Sequence, residues 1–124
     1  MGRQPEQQSD AGQAAVEFAL ALPLIVVAML AIAQVGVSIR NEVAVELAAR
    51  EGARAAAVSA NSAGAATTAA QRAVTLPVEV SVQDNGTTVA VTVTYVDSTD
   101  IAIIGAAIGS VTHSATATMA VEPP

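Results

Sequence analysis

The chain has 124 residues and a formal net charge of −6 at pH 7, with no cysteine, no lysine, no tryptophan, one phenylalanine and one tyrosine. This inventory excludes disulfides, thiolate chemistry and a lipidated-cysteine anchor, and the acidic balance argues against nucleic acid, which needs a basic footprint. A core limited to Ala, Val, Ile and Leu buries little area per residue, so a domain this small is marginal alone and is expected to draw stability from a membrane helix and neighbouring subunits.

In chain order, residues 1–12 are polar and read as a short unstructured leader. Glu17 then stands directly before an uncharged apolar run, Phe18 to Ile39. As a helix that run extends about 33 Å, enough to cross a bilayer. A carboxylate bordering such a run costs roughly 2.5–3.5 kcal/mol when ionised near hydrocarbon, so Glu17 should have a partner. A cut after Gly12 would supply one, because Gln13 becomes a new N-terminus with a free α-amine and Glu17 its fifth residue. Pro23 lies inside the run and is expected to kink or open the helix, freeing the carbonyl four residues earlier. The membrane-spanning segment is taken as 13–39.

The helical pattern continues past Ile39 as an exported extension, 40–58, rich in alanine, with Ile39, Val43 and Leu47 on one stripe and Glu46 and Arg50 at the favourable i, i+4 spacing. Nothing between Val35 and Arg40 resembles a cap, so one continuous helix from about Ala14 to about Val58 is expected. Residues 59–77 read as a loop and a short helix, Ala65 to Val74, capped by Asn61 or Ser62. Within the β-rich head, 78–124, Val78, Val80 and Val82 alternate with polar residues, Asp84-Asn85-Gly86 signals a hairpin, and Val89, Val91, Val93 and Tyr95 resume the alternation. Ile101 to Ile108 is too short to span a membrane and suggests a short helix with Asp100 as cap and Gly109 as stop. A third strand is expected over Thr112 to Val121, with Ala115, Ala117, Met119 and Val121 on one face. The fold class is therefore α+β: a long N-terminal helix, membrane-spanning in its first half, and a small head with a three-stranded antiparallel sheet.

Catalysis finds no support in these residues. His113 is the only histidine and reads as an exposed strand residue, with no Cys or His spaced to share a metal. Asp84, Asp97 and Asp100 fall at turns, where aspartate belongs for backbone reasons, and their spacing does not match a calcium loop. No phosphate loop and no nucleophile elbow is present, and neither cofactor nor small-molecule substrate is implied. Arg50, Glu51 and Arg54 read as a solvated helix face. Gln34, the one strongly polar residue of the apolar run, fits either an interhelical hydrogen bond or the outer interface.

Two segments carry a family resemblance. Gly12-Gln13-Ala14-Ala15-Val16-Glu17-Phe18-Ala19-Leu20, followed by Leu22-Pro23-Leu24, resembles the class III signal of type IV pilin precursors and the opening of the TadE-like family, minor pilins of the tight-adherence (Flp) pilus system. Ala48-Ala49-Arg50-Glu51-Gly52-Ala53-Arg54-Ala55-Ala56-Ala57 is similar to the alanine-rich segment that follows the membrane helix in that family. The resemblance implies an inner-membrane, single-pass protein with a cytoplasmic leader and an exported C-terminal part. It implies trimming by a membrane-embedded prepilin peptidase, and partners among other pilin subunits and the Tad assembly machinery. Carried onto this chain, it makes Gly12 the last leader residue, Gln13 the mature start, and Glu17 the residue that pairs with a subunit's terminal amine. Arg50, Gly52 and Arg54 match a family motif whose role the residues do not disclose.

Charge bias does not set the orientation, since the leader holds only Arg3 while the far flank holds Arg40 and Arg50. Leader-inside follows from the cleavage signal alone. Two alternatives remain open at this point. One is a secreted β-rich protein cut after Ala31-Ile32-Ala33 by ordinary signal peptidase; the other is an uncut single-pass protein.

Overall fold

A computed structural model describes residues 5–98 and 109–123. Helix α1 runs from Pro5 to Ala57 without a break, 53 residues that extend about 80 Å at 1.5 Å per residue. It passes through both Pro23 and Gly36, so the membrane-length run and the alanine-rich extension form one rod. Its start differs from expectation. Among the described residues the leader is helical from Pro5 onward, because proline at a first helical position loses only an N–H that has no intrahelical acceptor.

Helix α2, Ser62–Ala73, follows a short loop, with Asn61 as its cap: the Asn61 Oδ1 accepts from Gly64 N at 3.2 Å. Strands β1 (Glu79–Asp84), β2 (Thr88–Ser98) and β3 (Ser110–Ala120) form one antiparallel sheet in the order β1-β2-β3. The fold is thus α+β, a long N-terminal helix carrying a small three-stranded head. The expected short helix over Ile101 to Ile108 lies outside the described residues.

The hairpin joining β1 and β2 closes where the turn chemistry placed it. Asn85 N donates to Thr88 O at 3.2 Å, leaving Gly86 and Thr87 as the loop. Gly86 takes φ +85° at the first loop position, while no non-glycine residue among those described has positive φ, which is the pattern of a II′ turn. Asp84 Oδ1 accepts from Gly86 N at 2.8 Å, and Asn85 Oδ1 accepts from Thr88 N at 2.8 Å.

Register then decides the core. Val89, Val91 and Val93 are fully buried on the inner face of β2, with Val78 beside them, and half-buried Val80, Val82, Ala115, Ala117 and Met119 flank the cluster. The helix face they meet is not the Ile39/Val43/Leu47 stripe; all three of those residues are exposed. The buried face consists of Val45, Ala48, Ala49, Ala53, Ala56 and Ala57, with Gly52 between them. Small residues win because two layers approach this helix at once. A Cβ on Gly52 would lie 3.0 Å from Val91 Cγ1 and 3.2 Å from the Ala66 carbonyl oxygen of α2. Bulky apolar residues on that face would hold the layers apart and leave voids, at the cost that imperfect packing carries.

β2 runs back along α1, since Asp97 meets Asn41 while Val91 packs beside Gly52. β3 runs the same way as α1, from His113 beside Glu42 to Glu122, whose N–H donates to the Ala57 carbonyl at 2.9 Å. That last bond satisfies one of the carbonyls left open at the helix C-terminus.

Candidate functional site

The N-terminal segment is displayed rather than enclosed. From Ser9 to Leu20 every residue is exposed, and a Cβ built on Gly12 meets nothing within 4 Å. One turn along, Gln13 Nε2 donates to Glu17 Oε1 at 3.3 Å. The fold thus brings Gln13 and Glu17 to one side of α1, with the Gln13 side chain occupying the carboxylate. Beyond Glu17 the helix is long and apolar enough to cross a membrane, and its large side chains point outward; Leu20, Leu24 and Ile32 are each more than 70 % exposed. No described residue of the head covers them. Gln34 is buried, unlike its neighbours on the run.

The second predicted segment separates into two roles. Gly52 is a packing residue, as its neighbours Val91 and Ala66 require. Arg50 and Arg54 lie on the exposed side, and Arg50 reaches Glu46 at only 3.9 Å with both side chains largely in solvent. Such a pair contributes little. The structure does not bring Arg50, Gly52 and Arg54 to the Gly12–Glu17 segment; about 50 Å of helix axis separates them.

A polar seam at the end of the head nearest the apolar run was missed from the sequence. Asn41 is buried and donates from Nδ2 to Asp97 Oδ2 at 3.0 Å. His113 is not the exposed residue expected: it is 4 % exposed, with Nδ1 2.9 Å from Glu42 Oε2 and its ring stacked on Tyr95 at 6.4 Å between centroids. An ionised carboxylate only accepts, so Nδ1 carries the proton in this pair. Nε2 is buried with no hydrogen-bond partner. The signal for burial was present, because His113 shares the odd-numbered face with Ala115, Ala117 and Met119. Among the described residues no group of three or more His, Asp or Glu side chains is placed to hold a metal.

Against known proteins, the family model described as TadE-like protein matches residues 12–54. Neither a curated protein nor a solved structure matches the chain. The matched stretch opens at Gly12, takes in Glu17 and the whole apolar run, and closes at Arg54, so it covers the first segment of the resemblance and the second as far as Arg54. Over these residues, about a third of the chain, it is similar to the TadE-like family, a likeness that suggests a pilin-like protein related to the Tad pilus. Its apolar N-terminal helix is compatible with a single-pass membrane anchor.

Proposed function

We propose that this chain is a membrane-anchored, pilin-like subunit that is trimmed between Gly12 and Gln13 by prepilin peptidase and takes part in assembling an adhesive Tad/Flp-type pilus. The observation that carries the reading is the match that opens at Gly12 and continues through Glu17 and an unbroken apolar helix. In this reading residues 1–12 are cytoplasmic, the head is exported, and the inner membrane holds the subunit until it meets other pilins. Cleavage replaces the polypeptide before Gln13 with an α-amine. Glu17 then pairs with the amine of its own or a neighbouring subunit, where low dielectric makes charge pairs stronger than in water. Exposure of Gly12 on every side supports access by a peptidase that must bring its catalytic groups close to the backbone.

Intact-mass measurement on membrane fractions tests the reading directly. The expected mature chain begins at Gln13, and Gly12→Val should leave the precursor uncut. A chain starting at Gln34 would instead identify ordinary signal peptidase, and a chain starting at Met1 or Gly2 would identify an uncut anchor.

A further inference from the structure

The two edges of the sheet are built differently. β1 is short, six residues, preceded by Pro77 and carrying Glu79 and Asp84, the features by which edge strands discourage further pairing. β3 is eleven residues with no proline, no glycine and no Asp, Glu, Lys or Arg, and it pairs with β2 in unbroken register from Thr88↔Ala120 to Ser98↔Ser110. No bulge twists it away. By the same physics this edge is open to another strand.

Which groups are free follows from one bond. Val121 N donates to Thr87 O at 2.8 Å, in phase with the β2–β3 register, so the odd-numbered residues of β3 direct their main-chain groups toward β2. The even-numbered residues Thr112, Ser114, Thr116 and Thr118 therefore direct theirs outward, and all four are exposed. Glu122, next in the same phase, already uses its outward N–H on Ala57 O. Beside this edge lies a cleft of about 250 Å³. Its floor is Ala49, Ala115 and Ala117, and α1 walls it with Glu42, Glu46 and Arg50.

We propose that the β3 edge is a docking site for an extended segment of a partner chain, which adds as a fourth strand and turns a basic side chain toward Glu42 and Glu46. The main chain supplies the affinity and the cleft supplies the choice of side chain. A small or aliphatic residue fits over Ala115 and Ala117. Glu42 already bonds His113, but Glu46 has only its long, solvent-exposed contact to Arg50, so a partner lysine or arginine complements the walls better than an acid does. A second copy of this chain is a poor occupant. β3 runs the same way as α1, so copies anchored in one membrane would present their β3 edges in the same direction, and β3 itself carries no lysine or arginine to offer. The choice of occupant takes α1 as a membrane anchor, but the inference does not depend on leader cleavage or on the pilus reading.

The test uses the full ¹⁵N-labelled chain in detergent micelles and two synthetic probes. Both are alternating Thr–Val decapeptides; one carries lysine and the other glutamate at two neighbouring positions on the valine face. With the lysine peptide, amide exchange at Thr112, Ser114, Thr116 and Thr118 should slow about tenfold or more while odd-numbered β3 amides stay unchanged. Glu46→Lys should weaken that peptide's binding about threefold and improve the glutamate peptide's. Thr118→Pro removes an outward N–H without touching the β2 ladder, so the head should stay folded by ¹⁵N spectrum and lose the protection. Equal protection by both peptides, protection of β1 instead, or no protection in a folded head overturns the proposal. So does protection that rises with protein concentration in the absence of peptide, which would make a second copy the occupant.

Discussion

At Gly52 the fold leaves no room for even one methyl. Alanine there gains about 1 kcal/mol of helix propensity. It also meets Val91 Cγ1 at 3.0 Å and a backbone oxygen at 3.2 Å, neither at the free end of a flexible chain. Overpacking costs about 1–3 kcal/mol, so the net result should be a loss of about 1 kcal/mol in head stability. Gly36→Ala, with nothing within 4 Å, should leave the head's denaturant unfolding unchanged. The same scale separates two neighbours on β2. Val91 is fully buried, and Val91→Asp would strand an unpaired carboxylate among alanines, which exceeds the few kcal/mol a small domain has in reserve. Thr92 lies on the outer face, half-buried, with its hydroxyl 2.8 Å from that of Thr116. Thr92→Asp should therefore cost only about 1 kcal/mol for the lost bond. Limited proteolysis in membranes distinguishes the two; equal resistance would mean that the inner face of β2 is not Val89/Val91/Val93.

Among the elements, the β1–β2 hairpin is tied to α2 through one carboxylate. Asp84 accepts from Gly86 N at 2.8 Å and from the Ser62 hydroxyl at 2.7 Å. The Gly86 bond first, then Ser62, holds its carboxyl below the usual carboxylate range. A depressed value means the unfolded chain binds the proton more readily. The stabilisation is therefore fully present above the unfolded value, about pH 3.9, and is lost as pH falls through the lower folded value. Head melting temperature should thus decline across the acid range below about pH 4, and Asp84→Asn should remove that part of the decline while keeping an acceptor for the turn. A decline identical in both proteins would assign it to other carboxylates. This hairpin was fully legible in the sequence, because Asp-Asn-Gly and the flanking valines act through contacts a few residues apart. The inner face of α1 was not. A stripe of Ile39, Val43 and Leu47 has the right period, but periodicity reports only that a face repeats, and here the partner layers came too close for large side chains.

In the proposed reading of the whole molecule, one rod carries both anchoring and assembly, but through different residues. Removing the charge at Glu17 makes the segment more apolar, so Glu17→Ala should insert at least as well as the parent. If the proposed pairing with an α-amine holds, assembly should drop severely while the level of processed subunit in membranes stays constant. Quantifying sheared pili against membrane-bound subunit reads the two apart. Normal pili from the alanine variant would leave Glu17 as a headgroup-facing residue with no pairing role.

Local chemistry alone determined the unbroken helix, the capped α2, the hairpin and the alternating third strand, since each depends on propensity, period or turn residues within a short span. It also determined the similarity of residues 12–54 to the TadE-like family, because that similarity lies in runs of adjacent residues. Tertiary structure decided what depends on distant approach. It selected alanine and glycine over leucine for the buried face of α1 and gave Gly52 a packing role. It buried His113 against Glu42 across 71 positions, and it left β3 with an open edge while β1 carried the guarding charges. These outcomes follow from how closely two layers pack and which strand lies outermost, quantities that no single stretch of sequence contains.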